Sequence, residues 1–157
     1  MTTEEKKIEL EKTAQEVREF KDLDIAKAAT NAVPGEGDPD AELFFFGEAP
    51  GYNEDLQGRP FVGQAGKLLE KTLLSELGLT RDQVYITNII KYRPPDNRDP
   101  YPAEIEACAG WLDRQIEVIS PKIIATLGRY SLAKFIPDVS ISKVHGQPRF
   151  VDFNGKR

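Results

Sequence analysis

The chain has 157 residues, 39% of them hydrophobic and 30% charged, with a formal net charge of −5, the size and composition of one globular domain with a single core. No apolar run approaches the roughly 20 residues of a membrane span, and the amino terminus MTTEEKKIELEK is charged, without the apolar stretch of a secretory signal. Cys108 is the only cysteine, which excludes an internal disulfide framework and a multi-cysteine metal site; the expected location is the cytoplasm.

Taken alone, the negative charge argues weakly against nucleic acid, because phosphate binding draws on clustered Lys and Arg. An enzyme acting on DNA needs only a local basic face, however, and Lys91–Arg98 sets Lys91, Arg93 and Arg98 against Asp96 alone.

In chain order, Thr3 to about Lys21 reads as a helix, with Ile8, Leu10, Ala14, Val17 and Phe20 recurring at helical spacing. Gly35–Pro39 reads as a loop and Leu43–Phe46 as a buried strand stopped by Gly47 and Pro50. Ala65 to about Leu77 predicts a second helix, with Leu68, Leu69, Leu73 and Leu77 on one stripe and Gly78 as its stop. Val84–Ile90 predicts a strand rich in β-branched residues. The prolines of Arg93–Pro102 fix φ and remove donors, so that stretch is read as irregular. Ala103 to about Ser120 follows as a helix, Lys122–Leu127 as a strand, and Tyr130–Phe135 as a short helix after Gly128.

Strands alternating with helices predict a mainly parallel sheet covered on both faces, a three-layer α/β/α domain. Ligands of such sheets sit at the carboxyl ends of the strands. Those ends here carry Gly47-Glu48-Ala49-Pro50-Gly51, Thr87-Asn88 and Gly128-Arg129. Near the carboxyl end, Arg149–Phe153 alternates like a strand and Asn154-Gly155 is a strong hairpin signal. With Arg157 following so soon, the expectation is that a returning strand is missing or comes from another chain.

Singly, each candidate admits a plain structural reading. GEAPG could be an ordinary strand-to-loop turn, Phe61 a core residue and Asn88 a buried amide with protein partners. Together, GEAPG, GRPFVGQAG, VYITNIIKYRPPDNRDP, PKIIATLGR and HGQP, preceded by NAVPGEG, resemble family 4 uracil-DNA glycosylases in order and interval. The resemblance runs from about Phe20 to Arg157 and implies a single domain over 1–157, with 1–21 as an amino-terminal helix.

The resemblance implies an enzyme that takes uracil out of single- or double-stranded DNA and holds it in a fitted pocket. Phe61 would stack on the base and Asn88 would read its N3–H and O4 edge. Gly47, Ala49 and Gly51 would bring backbone against base and sugar. Glu48 would stabilise positive charge on the sugar and orient the attacking water. Arg93, Asn97, Arg98, Gly128 and Arg129 would grip the DNA strand. With no lysine placed for a Schiff base, a monofunctional hydrolase is expected, monomeric unless another chain supplies a strand.

Two departures accompany the resemblance. Family members carry four cysteines that hold a [4Fe–4S] cluster; the matching positions here are Phe20, Leu23, Tyr92 and Cys108, so no cluster and no other cofactor is expected. The family also has a His-Pro-Ala segment after a final strand, with no counterpart before Arg157, so a carboxyl-terminal strand and helix are expected to be missing and activity to be impaired. His145, the only histidine, falls where the family has a glycine-containing loop. A catalytically silent uracil- or DNA-binding module, or one part of a split glycosylase, therefore stays open as the alternative.

Overall fold

The computed structural model describes residues 1–156. Helix α1 (Thr3–Glu19) starts from a reciprocal cap: Thr2 Oγ1 accepts from the Glu5 N–H at 3.2 Å, while Glu5 Oε2 accepts from the Thr2 N–H at 2.7 Å. It buries Thr13, Ala14 and Val17 and packs against α5 (Pro102–Ile119). Proline at the first position of α5 costs no hydrogen bond there. Between them lies the short α2 (Asp24–Ala28), which the sequence reading does not anticipate.

The sheet has the order β1-β3-β2-β4, with β1 (Glu36–Gly37), β2 (Leu43–Gly47), β3 (Tyr85–Asn88) and β4 (Ile123–Thr126). Strand β2 runs parallel to both β3 and β4, Phe46 facing Thr87 on one side and Thr126 on the other; β1 is antiparallel to β3. Successive side chains of a strand point to opposite faces. Phe44 and Phe46 accordingly enter the core with Val17, Ile25, Leu112 and Ile116, whereas Phe45 joins Ile86, Val84 and Leu73 on the opposite face. Each such fully buried side chain contributes about 1.5–3 kcal/mol. The expected α/β fold with a mainly parallel sheet is the fold observed.

Several boundaries differ from expectation. The loop Gly35–Pro39 contains β1, an edge strand only two residues long. The strand expected over Val84–Ile90 ends at Asn88. Beyond it the Ile89 and Ile90 N–H groups donate to the carbonyls of Gly47 at 2.9 Å and Glu48 at 3.1 Å, holding the two strand ends together. The helix expected over Ala65–Leu77 is α4 (Gln64–Thr72) followed by a π-helical turn, Leu73–Leu77. A π turn inserts one residue into the helical register, so the leucine stripe breaks: Leu73 is buried and Leu69 packs below it, but Leu68 and Leu77 are exposed.

Helices α3 (Tyr52–Gln57), α6 (Arg129–Ala133) and α7 (Ile141–Val144) are short. The proline stretch includes one 3₁₀ turn, Pro95–Asn97, in which Asp96 and Asn97 have positive φ. At the carboxyl end, Asn154 (φ 48°) and Gly155 (φ 77°) form the expected two-residue turn, closed by paired bonds between Phe153 and Lys156. The expected strand Arg149–Phe153 is not assigned; Phe153 forms a single bridge with Lys156 and packs its ring 5.9 Å from that of Phe135.

Candidate functional site

The carboxyl end of β2 collects the candidate residues. A Cβ built on Gly47 would lie 2.5 Å from Phe61 Cζ and 2.8 Å from Asn88 Oδ1. Only glycine therefore lets the ring and the amide flank the strand end. Asn88 sits opposite Gly47 in the β2–β3 register. Its residue is 2% exposed, yet among the described residues no hydrogen bond uses its side-chain amide. Buried amides are ordinarily partnered; this one faces a pocket of about 130 Å³ that it lines with Ala49, Glu54, Phe61, Gln64 and Gly66. At about 30 Å³ per water, that is room for roughly four waters.

Phe61 is held in place by groups that the sequence reading passes over. Its φ is 52°, a left-handed conformation that a bulky residue adopts only under constraint. Arg81 Nη1 donates to the Phe61 carbonyl at 2.6 Å, and the same guanidinium donates to the Pro60 carbonyl and pairs with Glu36 at 2.8 Å. Glu54 Oε2 accepts the Val62 N–H at 2.9 Å, while its other oxygen accepts the Gly51 N–H at 3.0 Å. Gly66 packs its Cα against the Phe61 carbonyl with no room for a Cβ. Glu54 was detectable as an acid three residues past a helix-starting glycine. Arg81 leaves no local signal, since its partners lie 11 to 45 residues away.

Glu48 stands at the opening of the same strand end. Its Oε2 accepts the Tyr130 N–H at 3.1 Å at the start of α6. Gly128, at φ 120°, passes so close that a Cβ would lie 2.7 Å from Glu48 Oε1. Burial raises the Glu48 pKa above the ordinary carboxylate value, the nearby Asp99 adds to this, and the Tyr130 N–H and Arg129 oppose it. A carboxylate so placed is suited to take up a proton or to steady a cation.

Lys91, counted in the sequence among the cations of a local basic face, is instead fully buried behind the strand end and offers no charge to the surface. Its ammonium donates to Thr87 Oγ1 at 2.6 Å, the Asn88 carbonyl at 2.9 Å and Gln115 Oε1 at 2.8 Å. Thr87 passes its own hydroxyl proton to the Pro34 carbonyl at 2.9 Å, and Gln115 donates to the same carbonyl at 2.8 Å. All three acceptors thus require a donor from Lys91, which needs the ammonium form. Burial pushes in the other direction, lowering its pKa to about 7.

The residues expected to grip DNA have partners of their own. Arg93 Nε donates to Asn97 Oδ1 at 2.8 Å and lies over the Tyr52 ring. Arg98 makes a two-pronged ion pair with the buried Glu104, at 2.7 and 3.0 Å, which lowers the Glu104 pKa. Arg129 pairs with Asp99. His145 lies exposed at the carboxyl cap of α7, away from the pocket lining.

The four positions matched to cluster cysteines do converge, but on side chains that do not fit an iron–sulfur cluster. Tyr92 and Cys108 are fully buried in one core cluster, with Phe20 and Leu23 packed against it. Phe20 and Tyr92 stack at 6.2 Å, Phe20 meets Trp111 edge-on at 5.1 Å, and the Tyr92 hydroxyl donates to the Val17 carbonyl at 2.6 Å. One thiol cannot supply the thiolate set such a cluster takes. Among the described residues no group of three or more His, Cys, Asp or Glu could hold a metal ion.

A mainly parallel sheet whose strand ends close on a ring, an amide without a hydrogen bond among the described residues and a half-buried carboxylate defines an α/β protein with a small ligand pocket at its strand ends. Residues 34–154 match the family described as the Uracil DNA glycosylase superfamily. The chain is 55% identical over 143 residues to the type-4 uracil-DNA glycosylase of Sulfurisphaera tokodaii, covering 88% of this chain and 65% of that protein. It is 51% identical to that of Saccharolobus solfataricus (88% and 66%) and 47% identical over 154 residues to that of Archaeoglobus fulgidus (94% and 76%). This chain belongs to the uracil-DNA glycosylase superfamily, in its type-4 branch. It spans about two thirds of the length of the first two of these relatives.

Proposed function

We propose that the chain is a monofunctional uracil-DNA glycosylase that receives a flipped uracil in the Phe61–Asn88 pocket and hydrolyses its N-glycosidic bond in base-excision repair. The observation that carries this reading is the Asn88 side chain, in a residue 2% exposed, with no hydrogen bond of its own among the described residues and lining a pocket together with the Phe61 ring. An amide left open to a pocket is matched by a ligand that offers one donor and one acceptor side by side, as the N3–H and O4 of uracil do. Phe61 stacks on the base, and the backbone of Gly47, Ala49 and Gly51 surrounds base and sugar.

As the bond breaks, positive charge grows on the sugar and negative charge on the uracil. Glu48 in its ionised form stabilises the former and holds the attacking water, accepting its proton. In this reading Arg93, Asn97, Arg98, Gly128 and Arg129 contact the DNA strand. The test is release of free uracil from uracil-containing single- and double-stranded oligonucleotides by the parent and by Glu48→Gln. Release by the parent that falls at least a hundredfold in the variant, roughly the loss of one catalytic group, supports the reading. No release, or release unaffected by the substitution, overturns it.

A further inference from the structure

Three of the chain's five tyrosines are not buried, and the N–H of one of them, Tyr130, donates to Glu48. Tyr52 and Tyr101 are 57% and 56% exposed, and Tyr130 is half-buried. Each carries an arginine against its ring: Arg93 at 5.3 Å from Tyr52, Arg98 at 3.6 Å from Tyr101 and Arg129 at 5.0 Å from Tyr130. A continuous path of contacts joins them. Arg93 bonds Asn97 in the proline turn, Arg98 bonds the Asp99 carbonyl, Asp99 takes Arg129 and the Tyr130 hydroxyl, and the Tyr130 N–H ends on Glu48.

The charge on this rim is largely spent internally. Arg98 is matched by Glu104 and Arg129 by Asp99; only Arg93 has a neutral hydrogen-bond partner. Steep, phosphate-driven attraction needs cations free to replace counterions. What the rim offers instead is aromatic faces, each stiffened by a guanidinium that fixes the ring. Such faces take up the π-faces of unstacked bases irrespective of sequence. In a duplex those faces are already occupied by neighbouring base pairs.

We infer that Tyr52, Tyr101 and Tyr130 form a stacking platform for unpaired nucleotides flanking the target base, so that single-stranded DNA is the preferred substrate form. This rests on the glycosylase reading for its biological purpose, but its test does not. Binding of a labelled oligothymidylate, which contains no uracil, is measured by fluorescence anisotropy for the parent and for Tyr→Ala and Tyr→Phe at each position. Thermal melting verifies that each variant is folded.

Each Tyr→Ala change should weaken binding by about fivefold to a hundredfold, while Tyr→Phe, which keeps the ring, should stay close to the parent. The parent's log affinity should fall with log salt by a slope of about 0.7, as for a single released counterion on a single strand. A duplex of the same length should bind more weakly and respond little to the alanine changes. The inference is overturned if the alanine variants bind as the parent does. It is also overturned by a duplex bound as tightly as the single strand, or by a slope corresponding to three or more free cations. Uracil release, assayed separately, decides the glycosylase reading: stacking without release leaves the platform standing alone, and release without stacking removes only the platform.

Discussion

The Arg81 guanidinium donates to the Phe61 carbonyl at 2.6 Å and thereby holds a phenylalanine at φ 52°, a backbone conformation that costs on the order of 1–3 kcal/mol for such a residue. Arg81 is only 12% exposed, and its other bonds, to the Pro60 carbonyl and Glu36, keep it from following Phe61 if the loop relaxes. Arg81→Ala should let Phe61 swing back towards ordinary φ and open the pocket. The expected result is a rise of about tenfold in KM for uracil-containing oligonucleotide, with a stability loss of about 1.5–3 kcal/mol from the lost charged hydrogen bonds. Steady-state kinetics with thermal melting checks it; an unchanged KM in a destabilised variant would leave Arg81 a purely structural clamp.

Glu48 yields a prediction with a definite sign. Its folded-state pKa lies above that of an exposed glutamate, chiefly through burial. A carboxyl with a raised folded pKa binds its proton more tightly in the native state, so stability falls as pH rises through the ordinary carboxylate range to the raised value. Glu48→Gln removes that penalty. The variant should melt higher than the parent at neutral pH, while uracil release drops by about a hundredfold to a thousandfold. In the parent, the acidic limb of the rate profile should lie above pH of about 4.3, the unperturbed glutamate value. A limb at or below that value, or a variant melting lower than the parent, would contradict this assignment.

The contrast between these two residues explains what a sequence can disclose. Glu48 and Asn88 stand out in the sequence because they end apolar strands, where a parallel sheet places its ligands, and Phe61 because it stands in a glycine-rich loop; the structure sets Phe61 and Asn88 on either side of Gly47. The α/β alternation was legible from the apolar runs themselves. Arg81 and Lys91 were not: their partners lie up to 45 and 24 residues away, and no local pattern encodes such pairings. Leu77 falls outside the expected stripe because one π turn shifts its register against Leu69 and Leu73. Arg149–Phe153 alternates like a strand, but alternation describes a face, and a strand also requires a neighbour.

Lys91 makes stability depend on pH above neutrality. Its folded pKa, pushed down to about 7 by burial, lies well below that of a free lysine. Between those values the unfolded chain holds a proton that the native state binds more weakly, so stability attributable to this group rises with pH by at most about 1.4 kcal/mol per unit. Lys91→Met should remove that rise. It should also cost about 1–3 kcal/mol for each acceptor left without a donor among the Asn88 carbonyl, Gln115 and Thr87. Denaturant unfolding of both proteins from pH 7 to 8.5 measures the difference; parallel curves would show that Lys91 does not titrate there.

The aromatic packing at Phe20, Tyr92 and Trp111 predicts a protein without iron. Purified protein should show no stoichiometric iron and no broad visible absorption, and Cys108→Ala should change neither. Burial pushes the Cys108 thiol pKa up, so the group behaves as a small apolar side chain; its loss should cost about 1 kcal/mol as a cavity term. Iron bound in proportion to protein and lost in Cys108→Ala would overturn this.

Base choice depends on Asn88. Its amide can accept from the N3–H of uracil and donate to O4, whereas cytosine presents an amino donor at the second position. Asn88→Asp keeps the volume and the acceptor but replaces the donor by a second acceptor, which faces O4 unfavourably. The loss of that hydrogen bond, with a buried oxygen left against another, should lower kcat/KM for uracil by about tenfold to a hundredfold. The discrimination against cytosine should narrow at the same time. Asn88→Ala should also lose activity on uracil and narrow the discrimination, since the group that favours uracil over cytosine is gone. Because Lys91 bonds the Asn88 carbonyl and not its side chain, both variants should keep the strand end in place and melt within a few degrees of the parent. The decisive measurement is the ratio of uracil to cytosine release in the two variants. If both Asn88→Asp and Asn88→Ala keep the parent's ratio, the amide is not what reads the base, and the pocket's selectivity resides in its shape.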